Sequence, residues 1–364
     1  MVAYRHPMVN GSPTNPQYMH DSRTLVLARL PSGVSIRTTV HVYGEGTLVD
    51  GEDGPALVVP DDGGPVVYAQ AAQHGREVNG TAVLRRLHDR LVGDHVTDDG
   101  HEADDGALTG TLVSVPVADP LTFDHVSYTT PEVFDSVSPN MNRCWPGDTD
   151  GTLHERMAAR LWRFVRDADA VVDLHTGSSE MLTHTVYLRG DADCRRLAEA
   201  FGTDLLLAEA AGDDADTEWS ERNFDGKLRV AASRRGIPTI TPELAHSRQL
   251  VESAIEAGVE GVVGVLESMG VLEGEPEPWD GTVARNHLGR VTAVDSGLFR
   301  PAAGLTIGDS VAAGDALGEV YDPTTFETLQ RPVADRDGIV YSVACDATVT
   351  AGATLVGVAE RIGD

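Results

Sequence analysis

The sequence predicts an α/β fold, a mixed sheet flanked by helices, followed by a small all-β domain. Three observations carry this. Apolar runs of strand length, Val66-Val67-Tyr68-Ala69 and Ala170-Val171-Val172, each lead into a polar tip. Stretches with apolar residues at helical spacing alternate with such runs. Beyond the linker Gly274-Glu275-Pro276-Glu277-Pro278 the pattern changes to short β runs separated by glycines. The expected division is an irregular lead-in over 1–22, a main domain over 23–278 and a C-terminal β domain over 279–364.

Composition bounds what the chain can do. At 364 residues it exceeds the usual single domain, and 41% apolar residues are enough for a sizeable core. No run approaches the roughly 18 to 20 apolar residues of a membrane span. Met1 to Asp21 lacks the apolar centre of a signal peptide, so a soluble, cytoplasmic protein is expected. Cys144, Cys194 and Cys345 are odd in number and far apart, which argues against a disulfide framework or a Cys-based zinc site. The formal charge is −29, and Lys227 is the only lysine among 28 basic residues. Such a surface repels nucleic acid and anionic membranes, and neither is expected as a partner. A lysine-poor acidic surface suits a salt-filled cytoplasm that screens self-repulsion, and points to a halophilic source.

In chain order, Thr24 to Leu30, Val34 to Val42 and Ala56 to Val59 read as short β runs between turns. Val66 to Ala71 reads as the first core strand. A helix follows His74-Gly75-Arg76-Glu77, with Val83, Leu84, Leu87 and Leu91 on one face. Gly110 to Val117 is a further buried strand. Ala118 to Thr149 is an irregular loop, long enough to be expected to carry function. Acidic Asp98 to Asp105 reads as a solvated loop. Thr152-Leu153-His154-Glu155 has the form of a capping box and opens a helix with Leu153, Met157, Leu161, Phe164 and Val165 as its stripe. This helix leads into the strand before Asp173-Leu174-His175-Thr176-Gly177. Val186 to Arg189 is a strand, Arg195 to Phe201 a helix, Gly212 to Asn223 a polar loop, and Leu228 to Arg235 a helix. Ile237 to Thr241 is a strand ending at Pro242-Glu243, and Gln249 to Gly270 a helix. In the β domain, the Gly304 to Gly318 texture resembles a biotinyl/lipoyl-type barrel-sandwich. It contains no lysine to carry such a group, so a packing or lid role is expected.

The strand tips hold the chemistry. In open α/β sheets the carboxyl ends of strands face the ligand crevice. His74-x-x-Glu77 places two side chains on one side of a tight turn, and His175 stands at a second tip. The three are expected to converge on one metal ion. Two imidazoles and a carboxylate suit Zn²⁺ and leave a position for water, acidified to a pKa of roughly 7 in favourable sites. Glu243 follows its strand as His175 does. It reads either as a general base or as an acid stabilised at a helix N-terminus. Asn142-Arg143 offers an amide beside a guanidinium fork, suited either to a substrate carboxylate or to ordering its own loop. His154 and His184 read as exposed or satisfied in the core, Cys144 as a small buried side chain, and Trp145 as a pocket wall or a loop anchor. Arg222 and Asn223 lie in a loop that could close over a substrate.

Taken together, His74-Gly75-Arg76-Glu77, Asn140-Met141-Asn142-Arg143 with Pro146-Gly147, Asp173-Leu174-His175-Thr176-Gly177 and Thr241-Pro242-Glu243 resemble the succinylglutamate desuccinylase/aspartoacylase family. The order of motifs and the 101-residue step from His74 to His175 (175 − 74) agree with it over roughly residues 60 to 360. The resemblance implies a zinc-carboxypeptidase-like sheet. It implies one zinc ion per chain held by His74, Glu77 and His175, with Glu243 as general base and Asn142 and Arg143 on the substrate carboxylate. Asp173 would support the metal ligands from behind. The implied reaction is hydrolysis of an amide bond in a small N-acyl amino acid. The oligomeric state, including a homo-oligomer, stays open.

One departure stands out. The family places an Arg before the Asn-Arg pair to polarise the scissile carbonyl, and here no Lys or Arg occurs between Arg90 and Arg143. Ser127-Tyr128-Thr129-Thr130-Pro131 takes that slot. Losing one oxyanion donor costs about 10²- to 10³-fold in rate, unless the metal, His125 or an Arg from elsewhere compensates. Two other readings therefore stand beside the deacylase: a zinc carboxypeptidase with the same catalytic parts, and a non-catalytic zinc- or ligand-binding protein.

Overall fold

The computed structural model describes residues 20–92, 108–177, 179–210, 217, 219–285 and 290–363. The acidic run expected at Asp98 to Asp105 lies outside the described residues. So does the lead-in up to residue 19, as well as most of the first half of the loop expected over Gly212 to Asn223.

A 14-stranded mixed sheet organises the chain. Across it run His20–Arg29, Ser35–Gly44, Thr111–Val115, Val66–Ala71, Ala170–Gly177, Thr239–His246, His184–Leu188 and Leu205–Glu209. Thr282–Arg285, Thr354–Arg361, Gly338–Val343 and Ser310–Val311 continue the order. Val66–Ala71 pairs in parallel with Thr111–Val115 and with Ala170–Gly177, and the latter in parallel with Thr239–His246. Both Val66–Ala71 and Ala170–Gly177 are buried along their whole length, as continuous apolar runs covered on both faces should be.

Helices cover both faces. Asn79–Val92, Ala192–Phe201 and Glu252–Ser268 pack on one, through a core that includes Leu84, Leu87, Leu197, Phe201, Ile255 and Leu266. Leu153–Val165 and Leu228–Ser233 cover the other, with Met157, Leu161, Phe164 and Leu228 in its core. Each large apolar side chain taken wholly out of water contributes about 1.5 to 3 kcal/mol. The stripe read for the first helix is buried as expected. The capping pattern at Thr152 forms in its Glu155 half, where the Thr152 N–H donates to Glu155 Oε2 at 2.7 Å.

The C-terminal β region continues the sheet rather than standing apart. Thr282–Arg285 pairs in parallel with Leu205–Glu209, and Thr354–Arg361 then pairs with it. Thr328–Gln330, Gly318–Tyr321, Gly297–Pro301 and Thr348–Val349 form a second, four-stranded sheet, and Phe299, Leu317, Val320, Val340, Leu355 and Val358 fill the space between. Glu180–Met181, a few residues after His175, pairs with Gly338–Val343 and ties this region to the strand ends. Among the described residues no helix is long and apolar enough to cross a membrane.

Several expectations need correction. The first strand begins at His20, inside the expected lead-in. The stretch over 118–149 is not structureless: Pro120–Asp124 is a short helix whose N-terminal N–H groups donate to Asp119, and Met141–Arg143 is a 3₁₀ turn. The strand Leu205–Glu209 was not expected, because leucine and alanine carry no β signal of their own. The tips at His175 and Glu243 are not strand ends. Ala170–Gly177 and Thr239–His246 run through them, because each has a hydrogen-bonded neighbour at that level. Pro242 does not break its strand, although it brings no N–H to the ladder.

Candidate active site

The site grows from one face of three adjacent strands. Alternation puts Val66, Tyr68 and Gln70 on the same face as Val171, Asp173 and His175, and as Thr239, Thr241 and Glu243. Toward the carboxyl ends this face turns from apolar to polar. Register then sets Gln70 opposite Asp173 and Glu243 opposite His175. The same register excludes the helix-terminus reading of Glu243.

His74 and Glu77 arrive from the turn after Val66–Ala71, closed by a hydrogen bond from the Glu77 N–H to the His74 carbonyl at 3.0 Å. Gly75 permits that turn, since a Cβ there would lie 1.9 Å from the Thr122 backbone. His74 Nδ1 lies 2.9 Å from Glu77 Oε1, and His175 Nδ1 lies 2.9 Å from Glu77 Oε2. One donor atom from each of the three buried residues falls within 4.8 Å of the other two. Burial pushes the Glu77 carboxyl up, but His74 and His175 more than reverse this and hold it at about 2. The group stays a carboxylate.

The far nitrogens are also engaged. His175 Nε2 sits 3.0 Å from Asp173 Oδ2, and His74 Nε2 sits 3.2 Å from Asn140 Oδ1. Each imidazole thus points one nitrogen at the shared centre and the other at an oxygen behind it. That is how metal-ligating histidines are oriented, and with the carboxylate it forms a donor set that fits a zinc ion. Asp173 is itself fixed by Gln70 Nε2 at 2.9 Å and Gln73 Nε2 at 3.2 Å, and Trp145 Nε1 donates to Gln73 Oε1 at 2.5 Å. Trp145 is therefore a buried anchor.

Asn142 is buried and turned inward, with Nδ2 3.4 Å from His175 Nε2 and Oδ1 accepting from the Leu228 N–H at 3.3 Å. Arg143 donates to the Asn142 carbonyl at 2.7 Å, and its guanidinium carbon lies 5.5 Å from the Phe224 ring centre. The loop holding this pair clasps the 224–228 segment. Trp145 N–H donates to the Gly226 carbonyl at 3.0 Å, and a Cβ on Gly226 would meet the Arg143 carbonyl at 2.0 Å.

That clasp assembles what the sequence did not disclose. Around Phe224 stand Arg143, Arg222 at 4.5 Å, Lys227 at 3.5 Å and Arg229 at 5.2 Å from the ring centre. Arg229 grips Glu209 with both ends of its fork, its Nε at 2.8 Å, and Arg222 approaches the same carboxylate at 3.6 Å. Burial raises Glu209, but Arg229 and its neighbours bring it down to about 2. Burial and then Arg229 push the ammonium of Lys227 well down. This cationic island lies within a protein of net charge −29. Arg143 and Arg222 stand out in the sequence separately, but nothing there brings them together with Lys227 and Arg229.

Glu243 behaves oppositely to Glu77. Burial and the charge of Glu77 raise it to about 7, against the pull of His175, Lys227 and Arg229. A buried carboxyl beside such a donor set is placed to exchange a proton with a molecule bound there. Tyr128 brings the Ser127 to Pro131 stretch to the site. Its ring centre lies 4.0 Å from that of His74, and Arg76 covers it at 4.9 Å. Burial and the nearby carboxylates raise the phenol, which stays a donor. His125 does not join the site: it is exposed, bonded to the Leu121 carbonyl and set against Phe134. His154 and His184 are satisfied in the core, and Cys144 is buried.

A covered α/β sheet on which a His-x-x-Glu and a distant His come within reach of one metal ion, beside a buried carboxyl, defines a hydrolase class of site. The comparisons narrow this. The chain belongs to the succinylglutamate desuccinylase/aspartoacylase family, whose catalytic domain matches residues 63–269. It is 29% identical over 332 residues to the N-alpha-acetyl-L-2,4-diaminobutyric acid deacetylase of Halomonas elongata, covering 85% of this chain and 86% of that one. A succinylglutamate desuccinylase/aspartoacylase from Rhodobacter sphaeroides shares the fold, with a TM-score of 0.73, 23% identity and coverage of 97% and 99% of the two chains. So does the product-bound ectoine utilization protein EutE (DoeB) from Ruegeria pomeroyi, with a TM-score of 0.73, 22% identity and coverage of 96% and 98%.

Proposed function

We propose that this protein hydrolyses the amide bond of a small N-acyl amino acid in the cytoplasm, with one zinc ion held by His74, Glu77 and His175. The observation that carries the reading is the register pairing of Glu243 with His175, which sets a buried carboxyl beside the donor set. The acetyl-diaminobutyrate deacetylase relative favours an acetylated amino acid within that class.

A zinc ion held by His74, Glu77 and His175 would supply Lewis acidity to water and to the acyl carbonyl. Glu243 takes the proton of the attacking water and returns it to the amide nitrogen as the C–N bond breaks, leaving a carboxylate and an amine. Asn142 and Arg143 hold the substrate carboxylate, while Glu209 balances the charge of Arg229 and Arg222 behind them. Tyr128, still protonated, donates to the oxygen on which charge develops, in place of the absent Arg. Asp173 and Asn140 keep the two imidazoles turned to the centre. The β domain over 279–364, tied to the site through Glu180–Met181, narrows access and favours small substrates.

Amine release from N-acetyl, N-succinyl and other N-acyl amino acids, with short peptides alongside, tests the reading. Chelator-sensitive release from an acyl amino acid is expected. Release from peptides alone would make the protein a carboxypeptidase instead, and silence across the panel with metal bound would leave a binding protein.

A further inference from the structure

Three histidines far from this site converge at the first edge of the sheet. His20 opens His20–Arg29, His41 lies in Ser35–Gly44, and His88 lies on the helix Asn79–Val92. The antiparallel register sets His20 opposite Tyr43 and Ser22 opposite His41, so His20, His41 and Tyr43 share one face of the hairpin. The helix covers that face, because Tyr43 belongs to the same core as Leu84, Leu87 and Leu91.

His20 Nε2 lies 3.1 Å from His41 Nδ1, and the Tyr43 hydroxyl lies 2.9 Å from His88 Nδ1. The His20 ring centre is 5.4 Å from that of His41 and 4.9 Å from that of His88, and the last two are 5.8 Å apart. One donor nitrogen from each imidazole lies within 4.8 Å of the other two. All three residues are half-buried, so the cluster is open to solvent on one side. Packing alone would be served as well by phenyl rings. What distinguishes this cluster is that the heteroatoms face one another.

We infer that His20, His41 and His88 form a second metal site, taking a borderline first-row divalent cation such as Zn²⁺ and linking the first hairpin to the helix Asn79–Val92. Three imidazoles without a thiolate or carboxylate among the donors suit Zn²⁺, Co²⁺, Ni²⁺ or Cu²⁺ rather than Mg²⁺ or Ca²⁺. In a tetrahedral shell with Zn–N of about 2.0 to 2.1 Å the donors stand about 3.3 Å apart, so the widest gap closes by at most about 1.5 Å. Rotation of half-buried side chains supplies that movement. Tyr43 steadies His88 from behind, as outer partners do for imidazole ligands. The site shares no residue with His74, Glu77 and His175, and its role is structural: a cation bound only to the folded chain stabilises it.

The test is a calorimetric titration of metal-stripped protein with Zn²⁺. Wild type is expected to take two equivalents. His41→Gln and His88→Gln should each take one and keep their turnover. His175→Ala should retain the equivalent that His41→Gln loses. Zn²⁺ should also raise the melting temperature of His175→Ala, and that rise should vanish when His41→Gln is added. A single equivalent in wild type that His41→Gln and His88→Gln both keep, or two equivalents persisting in both variants, would overturn the assignment. Should His41→Gln fail to fold, as judged by near-UV circular dichroism, His88→Gln on the half-exposed helix decides the question alone.

Discussion

Glu243 and His175 face each other as direct partners on adjacent parallel strands. The pairing brings the proposed proton acceptor and a proposed metal ligand together from positions 68 residues apart (243 − 175), using only the ladder that builds the sheet. A one-residue slip of either strand would turn its own member of the pair to the apolar face that carries Leu174 and Leu244. Fold and chemistry here rest on the same hydrogen bonds.

Tyr128→Phe removes a hydroxyl while leaving the ring that packs on His74. Turnover is expected to fall about 10²-fold with little change in KM and none in metal content, the signature of a donor that acts on developing charge. Steady-state kinetics on the acyl amino acid turned over best, with metal analysis beside it, checks this.

Arg229→Met leaves Glu209 buried without its bidentate partner. A loss of about 3 to 5 kcal/mol is expected for stranding one member of such a pair. Glu209→Gln in the same chain should restore a large part of it. Urea unfolding midpoints of the single and double variants provide the comparison.

His154 lies in the core between Asp119 at 3.3 Å and Asp135 at 3.1 Å. Burial opposes its charge, but the bonds to Asp119 and Asp135 prevail and raise its pKa. A raised folded-state pKa gives stability that is full below the unfolded value of about 6.5 and lost as pH rises through the folded value. The melting-temperature gap between wild type and His154→Gln should therefore be wide near pH 6 and shrink toward pH 9. A gap independent of pH would mean that His154 is neutral in the fold.

The charge of −29 sets a further expectation. Added salt shortens the Debye length from about 10 Å at 0.1 M to about 3 Å at 1 M, which screens repulsion between carboxylates. The melting temperature should climb steeply with KCl, and activity should be lost in dilute buffer. Full structure and activity in dilute buffer would remove the halophilic reading.

Much of the site was legible because its signals are local or bounded. His74 and Glu77 are three residues apart, and His175 follows an apolar run that reads as a buried strand. Sheet position could not be read the same way. Glu243 reads equally as a helix-capping acid until pairing with His175 settles it, since register is a non-local property. Leu205–Glu209 has no alternation to reveal it, because the structure buries it fully. The cations around Phe224 meet only when the loop over 141–146 and the segment over 222–229 clasp through Gly226. His20, His41 and His88 likewise depend on a hairpin register and a helix position together.

The most direct measurement of the central claim compares zinc content and turnover in Glu243→Gln and His175→Ala. The expected result is that Glu243→Gln keeps all of the wild-type metal and loses turnover by 10³-fold or more, on the order of 4 kcal/mol of barrier. His175→Ala should lose one equivalent of metal, and its turnover with it. Wild-type turnover in Glu243→Gln, or full metal content in His175→Ala, would contradict the roles assigned to this pair.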